Sequence, residues 1–223
     1  MKQYLKGLLL ASLFTATPLL AADYDVTITN VTRGTVFTPI YVVSQTASLN
    51  LFELGQPASD ELAALAEGGD FSLLEAAIGD DPRVVATANS GGPLLPGDSV
   101  TVRVKAARHH GRISVLSMML PTNDGFIALK DVRTPGYYRS ASYNSPGYDA
   151  GSEPNDELCD HIPGGGNCAG AGGSPGVGGE GYVHIHAGIH GIGDLDADAH
   201  DWRNPAAHIT IKRVRSNNGH HGS

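Results

Sequence analysis

SMMLPTND, from Ser117 to Asp124, is an apolar strand that stops abruptly on a polar turn. The apolar run begins near Arg112, and a second one, Gly125–Val132, starts directly after Asn123-Asp124-Gly125, a turn signal. Working outward, YDVTITNV from Tyr24 to Val31 alternates in period two and is rich in β-branched residues, the signature of a half-buried strand. Similar patterns cover Val36–Val43, Arg83–Ala88, Ser99–Lys105, Tyr182–Ile189 and His208–Val214, about eight short strands in all. Pro96-Gly97-Asp98 supplies another turn signal, and strands do not alternate with helices. An all-β fold is expected, an antiparallel eight-stranded sandwich. A helical insertion interrupts it between Ser59 and Ala77. Asp60 and Glu61 suit a first turn, Ser72 and Glu75 have capping-box spacing, and Gly68-Gly69 splits the insertion into two short helices.

The first residues carry Lys2 and Lys6, an apolar run from Leu8 to Leu20, and then Ala21-Ala22 before Asp23. This is the layout of a secretory signal over residues 1–22, with a domain over 23–215 and a polar, disordered tail over 216–223. The apolar run is short for a membrane span and is broken by Thr15, Thr17 and Pro18, so a transmembrane anchor is the weaker reading. Cleavage leaves about 200 residues, enough for one well-cored domain. It also removes two lysines and takes the formal charge from −8 to −10, which disfavours nucleic acid and favours cations. Cys159 and Cys168 are the only cysteines. In an exported chain, periplasmic or extracellular, they are expected to form a disulfide rather than stay as free thiols. Gly164–Gly181 is glycine-dominated and reads as a loop pinned by that bond. His220 and His221 in the tail are potential metal ligands of undecided origin.

A second acidic turn lies in YDAGSEPND, Tyr148 to Asp156. Carboxylates on two separate loops, with Asn123 and backbone carbonyls filling the sphere, suit Ca²⁺, which takes six to eight oxygens in irregular geometry. The plainer alternative is that each turn Asp hydrogen-bonds its own backbone.

YDVTITN with Thr32 and Phe37-Thr38-Pro39, Leu54-Gly55, Ala64-Leu65-Ala66-Glu67-Gly68-Gly69-Asp70, SMMLPTNDGFIAL and YDAGSEPNDE follow one another in that order. Together they resemble the spondin domain, the amino-terminal module of F-spondin and mindin that also occurs as a stand-alone exported bacterial protein. The resemblance implies a C2-like sandwich that binds calcium at loops on one end. It implies adhesion or recognition of an extracellular or envelope protein, glycan or lipid surface, without catalysis. Carried over by position, Asp124 and Asp149 match acidic positions of the family motif, and Glu153 is a third.

In YVHIHAGIHGIGDLDADAHDW, starting at Tyr182, His184 and His186 share one face of the expected strand while Val183 and Ile185 take the other. With the apolar face inward, the imidazoles point outward with Cβ atoms roughly 7 Å apart. They are close enough to share a copper or zinc ion with His190 and His200, and Asp194, Asp196, Asp198 and Asp201 are at hand to complete a site. The alternatives are exposed histidines without a ligand and a solvated acidic turn. Trp202 is expected to close the core edge before the last strand, with ligand stacking as the alternative, and His109-His110 read as a hairpin tip. G-x-S-x-G, H-E-x-x-H and P-loop patterns are all missing, which leaves metal-assisted chemistry at the histidines as the one enzymatic route.

Overall fold

The computed structural model describes residues 21–108, 110–165, 168–171 and 178–215. The segment 1–20 of the expected leader, the tail 216–223, His109 and parts of the glycine-rich loop (166–167 and 172–177) lie outside the described residues. In chain order the elements are β1 (Ala21–Asn30), β2 (Val36–Phe37), β3 (Tyr41–Gln45), α1 (Asp60–Gly68), α2 (Ser72–Ile78), β4 (Val84–Asn89), β5 (Ser99–Ala107) and β6 (Arg112–Leu120). They continue with β7 (Gly125–Arg133), β8 (Ser140–Ser145), β9 (Gly147–Asp149), β10 (Pro163–Gly165), β11 (Cys168–Ala171), β12 (His184–Ile185), α3 (Ala197–His200) and β13 (Ala207–Arg213).

Two antiparallel sheets face each other. The first has the order β5-β1-β13-β8, and the second β12-β9-β7-β6-β3-β4 with β2 added beside β6. A separate hairpin pairs β10 with β11. The expected sandwich is present with more strands than eight. Val36–Val43 divides at Thr38-Pro39 into β2 and β3, both on β6, and β8 and β9 are additional. Tyr182–Ile189 shrinks to the two residues of β12. Ala21 and Ala22, read as the end of the leader, pair with Ala107 and Ala106 of β5.

In β1 the alternation works as read. Tyr24, Val26 and Ile28 are buried, while Asp25, Thr27 and Thr29 are only partly covered. Thr27 and Thr29 hydrogen-bond across to Thr101 and Ser99 of β5. The buried face meets Val102 and Val104 of β5, Ile209 and Ile211 of β13, and Val42, Ile113, Val115 and Ile127 from the opposite sheet. Each fully buried aliphatic side chain of this kind contributes about 1.5–3 kcal/mol. Trp202 belongs to this core, as expected.

The second sheet has no solvent face over most of its width. Its other side, with Tyr41, Val43, Leu116, Phe126 and Ala128, packs on Leu62 and Leu65 of α1 and on Leu74 and Ile78 of α2. Ser59 caps α1 by accepting from the Leu62 N–H, and Gly69 stops it in the left-handed conformation. The Ser72/Glu75 capping box does not form. Ser72 lies inside α2, its N–H donates to Asp70, and the Glu75 carboxylate accepts from Thr87 instead.

Cys159 and Cys168 are bonded, with Cα atoms 4.8 Å apart, across the β10–β11 hairpin. Closing a loop of nine residues removes unfolded-state entropy worth about 2.5 kcal/mol. Cys159→Ser/Cys168→Ser is therefore expected to lower the urea midpoint by about that energy with little change in slope. An unchanged midpoint would mean that the hairpin holds without the bond.

Candidate cation site

The turn after β6 is tied by Thr122, whose hydroxyl donates to the Met119 carbonyl and accepts from the Gly125 N–H. Gly125 then pairs with Asp149 of β9, and the Ala150 N–H donates to the Asp124 carbonyl. The two acidic turns are thus locked side by side at one end of the second sheet, and Asp124 and Asp149 are each 0 % exposed.

The Asp124 Oδ2 atom accepts from the Ser152 N–H (2.7 Å), the Ser152 hydroxyl (3.1 Å) and the Glu153 N–H (3.0 Å). Its Oδ1 atom is buried with no hydrogen-bond partner among the described residues. Asp149 Oδ1 accepts from the Gly151 N–H at 2.7 Å, and Oδ2 from the Asn155 amide at 2.6 Å. Gly151 has φ +68°, and a Cβ there would sit 2.3 Å from the Tyr182 carbonyl oxygen, so the 178–184 segment crosses this turn only because no side chain intervenes. Glu153, whose backbone N–H makes one of the Asp124 bonds, is itself buried. Asn123 has both ends of its amide engaged: the nitrogen donates to Asp156, and the oxygen accepts from the Glu157 N–H. Both contacts tie the turn to the 156–157 loop.

Burial pushes the Asp124 carboxyl above its ordinary range. Burial, and then the charge of Asp124, push Asp149 up to about 7. Among the described residues no Lys or Arg lies within ion-pair distance of Asp124 or Asp149, and the only basic neighbours are imidazoles. Adjacent buried carboxylates without a fixed counter-charge favour either a proton or a cation.

His186 does not stand outward, and His184 is only partly exposed. His186 is 5 % exposed and packs against Trp202, while Ile185 is 46 % exposed. The doubly covered sheet accounts for His186: Val183 enters the helix-side core, so His184 and His186 turn to the opposite side, where His184 pairs with Asp149. His184 Nε2 lies 3.5 Å from Asp149 Oδ1 and 3.8 Å from Glu180 Oε2, and His186 Nε2 lies 4.0 Å from Asp149 Oδ2. His186 Nδ1 accepts from the Gly188 N–H, and burial first, then the neighbouring histidines, lowers its pKa to about 4, so it is neutral with its proton on Nε2.

The other expected ligands are not gathered here. His190 is exposed and offers its backbone N–H to Glu157, while His200 is pinned to the Gly34 carbonyl. Asp196 caps α3, Asp194 accepts from the Cys159 N–H, and Asp201 accepts from the Ile189 N–H. Glu180 and Asn155 escaped the sequence reading; the one available signal was a lone acid in the run Gly178-Gly179-Glu180-Gly181.

No curated protein matches the chain. Residues 27–154 match the Spondin_N family model, a segment that runs from within β1 through the first acidic turn and into the second, and stops short of the histidine strand. Since the match takes in more than half of the chain, this protein belongs to the spondin N-terminal domain family.

Proposed function

We propose that this protein is an exported, non-catalytic recognition module of the spondin type, which holds a calcium ion at Asp124, Asp149 and Glu153 and presents the surrounding loops to a protein, glycan or lipid surface. The observation that carries the proposal is the pair of fully buried carboxylates, Asp124 and Asp149, with no Lys or Arg beside them among the described residues. Oxygen donors on separate loops fit a hard, irregularly coordinated cation. Export is supported by the disulfide, and no described helix is long and apolar enough to cross a membrane.

Equilibrium dialysis against calcium is expected to retain about one ion per chain, and Asp124→Asn/Asp149→Asn is expected to lose it. A parent chain that retains none would overturn the proposal. Calcium binds the deprotonated carboxylates, and Asp149 holds its proton up to about pH 7 in the cation-free protein. Affinity is therefore expected to fall about tenfold per pH unit as pH drops below 7, more steeply once Asp124 also protonates. Without calcium the sign reverses. A carboxyl whose pKa is raised on folding stabilises the fold at low pH, and that contribution is lost as pH rises through about 7. His186, held near 4, opposes this trend below the ordinary histidine range, so the calcium-dependent difference is the cleaner quantity to follow.

A further inference from the structure

We infer that Asp149, Glu180 and His184 form a site for a borderline divalent transition metal of the zinc class, beside the calcium position and sharing only Asp149 with it. The three donor atoms, one from each residue, all lie within 4.8 Å of one another. His184 Nδ1 donates to the Ile185 carbonyl at 3.0 Å, which orients the ring with Nε2 directed at the two carboxylates, where a metal ion would take the place of a proton. A metal-binding histidine usually donates its other ring N–H to a carbonyl or carboxylate in this way.

Asn155 completes the alignment. Its amide nitrogen donates to Asp149 Oδ2 at 2.6 Å and to Glu180 Oε1 at 3.2 Å, so the other oxygen of each carboxylate turns to His184 Nε2. The Nε2 atom itself is buried and without a hydrogen-bond partner among the described residues.

In the metal-free protein the same atoms make a loose ion pair, and against burial the Ile185 carbonyl and the two carboxylates raise the His184 pKa. Separations of 3.5 and 3.8 Å are too long for N–H···O hydrogen bonds, which run at about 2.7–3.2 Å. They approach the edge of a tetrahedron, about 3.4 Å, whose metal–ligand bonds are about 2.1 Å long. Two carboxylates and a neutral imidazole also balance the charge of a divalent ion. The nitrogen donor sets the metal class, because calcium takes oxygen and imidazole suits zinc and its neighbours. The Glu180 side chain is exposed, so the fourth position opens to water, as in an exchangeable rather than a closed structural site.

The segment carrying Glu180 is held over the 149–153 turn by the Gly181 N–H donating to Gly151 and by the Val183 N–H donating to Gln56. Substitutions at the side chains of Glu180 and His184 leave that backbone lacing intact.

The test is zinc competition against a chromogenic chelator, on the full chain carrying His220→Ala/His221→Ala so that the tail does not contribute. Glu180→Gln and His184→Gln are each expected to weaken zinc at least tenfold, while His190→Ala, whose exposed side chain takes no part in either site, keeps zinc affinity within about threefold. In the parent, histidine ¹⁵N spectra are expected to show Nε2 of His184, and not that of His186, shifting on zinc addition. Unchanged affinity in Glu180→Gln and His184→Gln, or no His184 shift, overturns the inference. Failure of calcium binding in the parent bears on the calcium proposal alone, because Glu180 and His184 take no part in it.

Discussion

Removing calcium with a chelator is expected to lower the midpoint of thermal unfolding by roughly 8–16 °C. A cation that binds only the folded state stabilises it by RT ln(1 + [L]/Kd), about 4 kcal/mol at a thousandfold excess over Kd. For a domain of 150–250 residues each kcal/mol moves the midpoint by about 2–4 °C. Two features of the site make this coupling strong. Asp124 and Asp149 are both fully buried, and the turns that carry them are joined by the Gly125–Asp149 pairing, so the site exists only when β7 and β9 are in register. Calcium added back restores the midpoint. A midpoint indifferent to chelator and to calcium would mean that these carboxylates are kept for their hydrogen bonds to the turn backbone.

Asp124→Asn separates those two roles, because its effect is expected to change sign with calcium. An amide placed with its oxygen at the Oδ2 position keeps all three hydrogen bonds from Ser152 and Glu153, and its nitrogen falls where Oδ1 has no partner among the described residues. The substitution also removes one of two like charges in a buried site. Without calcium at pH 8, Asp124→Asn is expected to be more stable than the parent by about 1–2 kcal/mol. With saturating calcium the order reverses, since the parent gains the binding energy and the variant does not. Paired urea melts with and without calcium read both arms. A variant less stable than the parent in both conditions would assign Asp124 a purely structural role.

The first sheet was legible because it buries one face. The alternation of Tyr24, Val26 and Ile28 against Asp25, Thr27 and Thr29 is the pattern that period-two reading detects. The same reasoning inverted at His184 and His186, where the sheet is covered by helices on one side and by its partner sheet on the other. Alternation there separates two interiors, and at the edge strand it left Ile185 exposed and turned His186 inward. The polar strand β8, SASYNS, carries no apolar stripe, and it became visible only through its pairing with β13. The acidic turns stood out because Asp and Asn interrupt apolar strands, whereas Glu180 is brought to Asp149 by backbone lacing between Gly181 and Gly151 that no local pattern announces. Likewise Ser72 and Glu75 had the right spacing for a cap, but Phe71 took the cap position and Thr87 claimed the carboxylate.

Anomalous diffraction from crystals of the calcium-loaded protein tests the central claim most directly. A calcium peak is predicted within about 2.3–2.6 Å of Asp124 Oδ1 and of an Asp149 carboxylate oxygen. Density showing that the Asp124 Oδ1 position holds only a water, with calcium elsewhere or missing, would contradict it.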